Sequence, residues 1–258
     1  MELGDYIRMT STSTSYTPPS DLTGCLNDSR CTQNTINPSE LNLWRVIRKN
    51  EDGTIDVVSE YVSSTNVAFY GKTGYINYIK GLNEVASQYI NEKYVINTRH
   101  IGYSNQIEIL IDTNMLDQTT LPWTKFTSIE SQWTGCAANN YLCGTDEKLG
   151  AGDIGYEEDY KLVNGVYGTM VGRTPNGVAT SYWLASRFYW TASNHNWLFD
   201  GRFVETNGSL KSNWIYYYYY NLPNHSEQKY AIRPILTIKS TIGIDSGDGT
   251  NTSPYELS

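Results

Sequence analysis

At 258 residues the chain is long enough to bury one large core without staples, and a single domain over residues 1–258 is expected. Its 19 Lys and Arg against 27 Asp and Glu leave a net charge of -8, which lacks the clustered cations of phosphate-backbone binding and excludes nucleic acid as an expected partner. No stretch approaches the roughly 20 apolar residues of a membrane span, and the first residues lack the charged and apolar regions of a signal peptide.

In chain order, Gly4-Asp5-Tyr6-Ile7-Arg8-Met9 reads as the first strand. Met1-Glu2 before it reads as a start placed on an excised domain, the native chain having begun earlier. A Ser/Thr/Pro-rich loop follows from Thr10 to Thr23. Cys25 and Cys31 then stand six apart, and Cys136 and Cys143 seven apart, each pair around turn-forming residues. Two local disulfides are the economical reading, each worth roughly 2 to 3 kcal/mol by loop closure. Free thiols and a four-cysteine zinc site are the alternatives, although neither pair has the two-to-four residue spacer usual for zinc. Disulfides imply an oxidising, extracellular setting.

Asn37-Pro38-Ser39-Glu40 reads as a turn. Leu41 to Ile47 and Thr54 to Val62 favour strands, and Asn50-Glu51-Asp52-Gly53 between them makes a hairpin. Tyr75, Ile76, Ile79, Leu82, Val85, Ala86, Tyr89 and Ile90 recur at helical spacing, which predicts an amphipathic helix over 74–92 with Thr73 as N-cap. Gly81 inside it costs about 1 kcal/mol relative to Ala. A second helix is expected between Ser104 and Leu116, and long surface loops with short strands from Asp117 to Pro175.

Gly150-Ala151-Gly152-Asp153-Ile154-Gly155 spells the dinucleotide fingerprint, but no strand feeds it and no helix pattern leaves it, so a flexible loop is expected. Asp146, Asp153, Glu157, Glu158 and Asp159 read as a solvated acidic loop, with calcium ligation as the alternative. The chain has no G-x-S-x-G elbow, no H-E-x-x-H and no P-loop, and its three histidines, His100, His195 and His225, are scattered. No catalytic residue, metal or cofactor is assigned.

The densest signal is Tyr182 to Tyr230, which holds 8 of the 22 tyrosines and 4 of the 7 tryptophans among Asn, Ser, Thr and Gly. That mixture of rigid aromatic area and adaptable hydrogen bonding is a binding vocabulary. It also suits a half-buried strand. Regular alternation would put Trp214, Tyr216, Tyr218 and Tyr220 on one face and Ile215, Tyr217 and Tyr219 on the other, with only one face in the core.

Leu43-Trp44-Arg45-Val46-Ile47, Val58-Ser59-Glu60-Tyr61, Tyr182-Trp183-Leu184-Ala185-Ser186-Arg187 and Ile232-Arg233-Pro234-Ile235-Leu236-Thr237-Ile238 resemble, in that order, a bacterial family of unknown function with a C-type lectin-like fold. The family is similar to the variable proteins of diversity-generating retroelements, of the major tropism determinant type, and more distantly to formylglycine-generating-type proteins. The resemblance implies an α+β fold of mixed, twisted antiparallel sheets in which the first strand, Asp5 to Met9, pairs with the last, Ile235 to Lys239. It implies a variable segment over 187–230; residues 241–258, which run on past the point where such proteins usually end, read as a C-terminal tail. The implied ligand-binding face comprises Tyr189, Asn194, His195, Asn196, Trp197, Phe199, Asn213, Trp214, Tyr216, Tyr218, Tyr220, Asn224 and His225. Trp183, Leu184, Arg233 and Pro234 would be scaffold.

The expected function is therefore non-enzymatic recognition of a protein or other macromolecular ligand at the cell surface or outside the cell, through an anchor beyond this chain. One alternative is the head of a pilus-like or other surface assembly, with the aromatic patch as subunit interface; a homo-oligomer stays open. The other is an enzyme of the formylglycine-generating type, which would need Cys136 and Cys143 as reactive thiols.

Overall fold

The structure is a computed structural model that describes residues 1–102, 142–145, 159–193, 196–219 and 222–258. At Ile76 and at residues 142–145, 187–193, 196–197, 218–219 and 222–225 the description is of the backbone. The first half of the chain forms β1 (Tyr6–Arg8), α1 (Ser20–Thr23), β2 (Leu43–Lys49), β3 (Ile55–Ser59), β4 (Val67–Tyr70), α2 (Gly71–Ile76), α3 (Tyr78–Ser87) and β5 (Val95–His100). The second half forms β6 (Leu142–Thr145), α4 (Asp159–Tyr167), β7 (Tyr182–Ser193), β8 (Asn196–Val204), β9 (Leu210–Tyr219), β10 (Leu222–His225), β11 (Glu227–Tyr230), β12 (Pro234–Ile238), β13 (Ile244–Ser246) and β14 (Tyr255–Leu257). The architecture is α+β.

A seven-stranded sheet runs in the order β13-β14-β1-β2-β3-β12-β5, and a five-stranded sheet in the order β10-β9-β8-β7-β6. The hairpin expected from Asn50-Glu51-Asp52-Gly53 is present as β2 and β3. Gly53 takes the positive φ of the turn, and Asp52 Oδ1 accepts from the Thr54 N–H at 3.0 Å. Strand β12 lies between β3 and β5 and is buried along its whole length, with Pro234 at its first position, where no interior ladder bond is lost.

The large sheet is covered on both faces. Trp44, Val46 and Val57 face a core shared with Ile79, Leu82 and Val85 of α3 and with Trp183, Phe199 and Ile215 of the second sheet. Ile47, Val58 and Ile235 face the opposite way, onto Val163 of α4.

Five expectations are corrected. Residues 74–92 do not form one helix: α2 begins at Gly71, after Tyr70 rather than Thr73, and the axis breaks at Asn77. The break lets α2 press on the end of α1, where a Cβ on Gly74 would stand 2.6 Å from the Thr23 carbonyl oxygen. Tyr89 reaches the core from a turn beyond α3, so the apolar period outruns the helix that it marks. Residues 159–167, expected as loop, form α4; Asp159 and Val163 are fully buried, and Tyr160, Val166 and Tyr167 are half-buried on the same side, a short stripe that the surrounding polar residues hid.

The first strand does not pair with Ile235 to Lys239. Both ladders of β12 are already occupied, and β1 pairs antiparallel with β2 and parallel with β14. Residues 241–258 are thus no tail but two strands of the sheet, turned by Gly247 and Gly249 at φ 91° and 80°. The expected helix over 104–116, the motif Gly150 to Gly155, and Asp146, Asp153, Glu157 and Glu158 lie outside the described residues.

Asp159 is neither solvated nor calcium-facing. Arg99 donates from Nε and Nη2 to its two oxygens at 2.9 and 2.8 Å, and from Nη2 to Asp56 Oδ2 at 2.8 Å, all in the interior. The cluster ties the start of α4 to β5 and β3. Cys25 and Cys31 form a buried disulfide, S–S 2.07 Å, against Ala68 of β4. Cys136 lies outside the described residues, and Cys143 is placed by its backbone in β6.

Candidate binding face on the five-stranded sheet

The site rests on β8 and β9, joined by a turn in which the Glu205 N–H donates to Ser209 O at 2.8 Å and Gly208 takes a φ of 86°. Their ladder is regular from Val204↔Leu210 to Asp200↔Trp214, and then skips Ile215 before resuming at Phe199↔Tyr216. One extra residue on β9 is a bulge, which sends two consecutive side chains to the same side. Ile215 and Tyr216 are accordingly both in the core, at 0% and 3% exposure.

On the inner face, Phe199 stacks on Tyr216 with centroids 5.5 Å apart and meets Tyr75 of α2 edge-on at 5.1 Å. Gly201 leaves room for Tyr78, since a Cβ there would stand 2.9 Å from Cζ of that ring. The Tyr78 hydroxyl in turn lies 2.8 and 2.9 Å from the carbonyl oxygens of Leu184 and Arg202, bridging β7 and β8. Trp183 packs edge-on against Phe69, Tyr78 and Tyr230, and its Nε1 donates to Val67 O at 2.8 Å.

On the outer face the bulge brings Trp214 and Tyr217, three apart in sequence, into one edge-to-face pair at 4.7 Å. Leu198 stands directly opposite Tyr217 across the ladder. All three side chains are half-buried. Asn224 of β10 and Trp190 of β7 hold the flanking positions of the same cross-strand row. Beside the pair, Asp200 is opposite Trp214 and accepts from Ser212 Oγ at 3.0 Å.

The predicted residues therefore divide. Trp214 is on the outer face as expected, although its partner there is Tyr217, which regular alternation puts on the other side. Phe199 and Tyr216 are corrected: both are core side chains, and neither can form part of an exposed face. Asn213 is turned inward, donating from Nδ2 to Gln228 Oε1 of β11 at 2.8 Å. Tyr189, Asn196, Trp197, Tyr218, Asn224 and His225 are placed by backbone register in β7 to β10. Asn194, His195 and Tyr220 lie outside the described residues. Tyr217 was missed because a bulge leaves no mark in a run of five tyrosines, and Leu198 because the expected face was drawn from aromatic and polar residues.

Trp183, Leu184, Arg233 and Pro234 are all buried, at the places expected of scaffold. Arg233 donates from Nε to Ser59 O at 3.1 Å and lies over the rings of Tyr167 and Tyr182. His100, 1% exposed, accepts at Nε2 from the Arg233 N–H at 3.1 Å, and burial pushes its imidazole down to about 3, so it is neutral at pH 7. Among the described residues no three His, Cys, Asp or Glu are grouped to hold a metal ion, and no helix is long and apolar enough to cross a membrane. No protein-family model matches the chain, and no curated protein or solved structure matches it.

Proposed function

We propose that this is a non-enzymatic binding protein of the cell surface or extracellular space, in which a C-type lectin-like α+β scaffold presents the outer face of β8 and β9 to a protein ligand. The observation that carries the reading is the Trp214–Tyr217 pair, turned outward by the bulge while the neighbouring Phe199, Ile215 and Tyr216 are fixed inward. A half-buried aromatic pair on a rigid ladder is the kind of anchor that dominates protein interfaces, because little side-chain entropy is left to lose on docking.

In this reading the segment 187–230 is also the diversified one, as the likeness to retroelement variable proteins implies. The division of side chains between an inner and an outer face supports it, since outward positions can change without disturbing the core.

Deep sequencing of the final third of the gene in a population grown from one cell tests the proposal. The expected result is substitution at outward positions such as Trp214 and Tyr217, with Trp183, Phe199 and Arg233 unchanged. An invariant segment, together with concentration-dependent oligomers that Trp214→Ala abolishes, would instead make the patch a subunit interface.

A further inference from the structure

On the face of the seven-stranded sheet that α4 covers, a cleft of about 400 Å³ separates the sheet margin from the helix. Leu3, Arg45 and Ile47 line one side; Lys161, Leu162 and Val166 line the other. Its volume falls within the roughly 300–1,000 Å³ of small-molecule sites and is too small for a protein segment.

Two cations share this space. The Arg45 guanidinium is held by Nε, which donates to Gly4 O at 3.1 Å, and by the rings of Tyr6 and Tyr167, whose centroids lie 5.1 and 4.5 Å from its central carbon. Those contacts fix its plane and leave its terminal nitrogens without a hydrogen bond among the described residues. Glu60, beside the same two rings, makes no ion pair with Arg45 and accepts from the Tyr167 hydroxyl at 2.8 Å. Lys161 likewise has no ion pair among the described residues. Among the described residues, then, neither of these two lining cations has a carboxylate within ion-pair distance.

The rest of the lining is aliphatic, and it stays open at the helix: a Cβ on Gly165 would meet nothing within 4 Å. A planar guanidinium in a fixed orientation favours a planar, two-oxygen anion. The aliphatic walls favour an unbranched apolar body.

We propose that this cleft binds a small aliphatic monocarboxylate, its head group on Arg45 with Lys161 as the second cation and its chain along Ile47, Leu162 and Val166. The site is separate from the aromatic face and does not depend on what that face binds.

Isothermal titration of the full chain with sodium decanoate and, separately, with 1-decanol tests this. The expected result is one saturable decanoate site per chain, with decanol weaker by roughly tenfold or more, as befits a charge-assisted contact. Gly165→Leu, which fills the cleft from the helix beside the Lys161 stem and keeps both charges, should abolish decanoate binding without lowering the melting temperature. Lys161→Gln should weaken it by about threefold, the scale of one partly solvated charge. Equal binding of decanol and decanoate, affinity that survives Gly165→Leu, or no saturation at millimolar decanoate would each overturn the proposal.

Discussion

Trp183 and Trp214 belong to the same sheet and carry opposite duties. Trp183 is fully buried among Phe69, Tyr78 and Tyr230, with its indole N–H bonded to Val67 O. Trp183→Ala should therefore cost about 3–5 kcal/mol of stability in a denaturant titration. Trp214→Ala should cost much less there, about 1 kcal/mol for the lost ring pair, and weaken ligand binding by about 2 kcal/mol, the size of an interface hot spot. A large stability loss from Trp214→Ala would return the residue to the core.

His100 adds a pH signature. Its folded-state pKa is pushed down to about 3, against roughly 6.5 when unfolded, so as pH falls below the unfolded value only the unfolded chain takes up the proton. Stability is then lost at about 1.4 kcal/mol per pH unit through that window. From pH 7 to pH 5 the native protein should lose about 2 kcal/mol that His100→Gln, which keeps an acceptor for the Arg233 N–H, does not lose.

Elements are decided by what presses on them as much as by their own propensities. Gly81 sits inside α3, where propensity alone says that Ala would gain about 1 kcal/mol. A Cβ there would meet Cε1 of Phe69 at 2.8 Å, and Leu22 of α1 stands behind. Gly81→Ala is therefore expected to destabilise by about 1–3 kcal/mol, read as a fall in the denaturation midpoint.

The same distinction marks what was legible in the sequence. The β2–β3 hairpin was, because its turn residues and alternation are local. The apolar stripe of α3 was, but the break at Asn77 was not, since it answers to contacts with α1 some fifty residues away. The Ile215 bulge was illegible for another reason: alternation has a period of two, and one inserted residue reverses every later assignment without changing any residue type. Phe199 and Tyr216 were placed on the binding face by the family resemblance, and ladder register and burial put them in the core.

At the scale of the whole molecule, the least legible feature is the closure of the large sheet by its last residues. A Gly, Ser, Thr and Asp-rich stretch reads as a tail, yet it places β14 between β13 and β1, with the Tyr6 N–H donating to Gly249 O at 2.8 Å and the Tyr94 hydroxyl to Leu257 O at 3.0 Å. Pairing over such a separation has no local signature. Ending the chain at Ser240 should lower stability by about 2 kcal/mol or more and expose β1 as a new edge, measurable as a lower melting temperature and faster amide exchange at Tyr6 and Arg8. Trp183 and Arg233 were expected as scaffold from the family resemblance rather than from any local pattern, and both are buried.

The parallel contact between β1 and β14 also sets how the protein carries mechanical load. Tension applied to the two ends of the chain pulls β1 from its start and β14 from its finish, along the strand axes and in opposite senses. The hydrogen bonds between them are then strained together, in shear, instead of opening one after another like a zip.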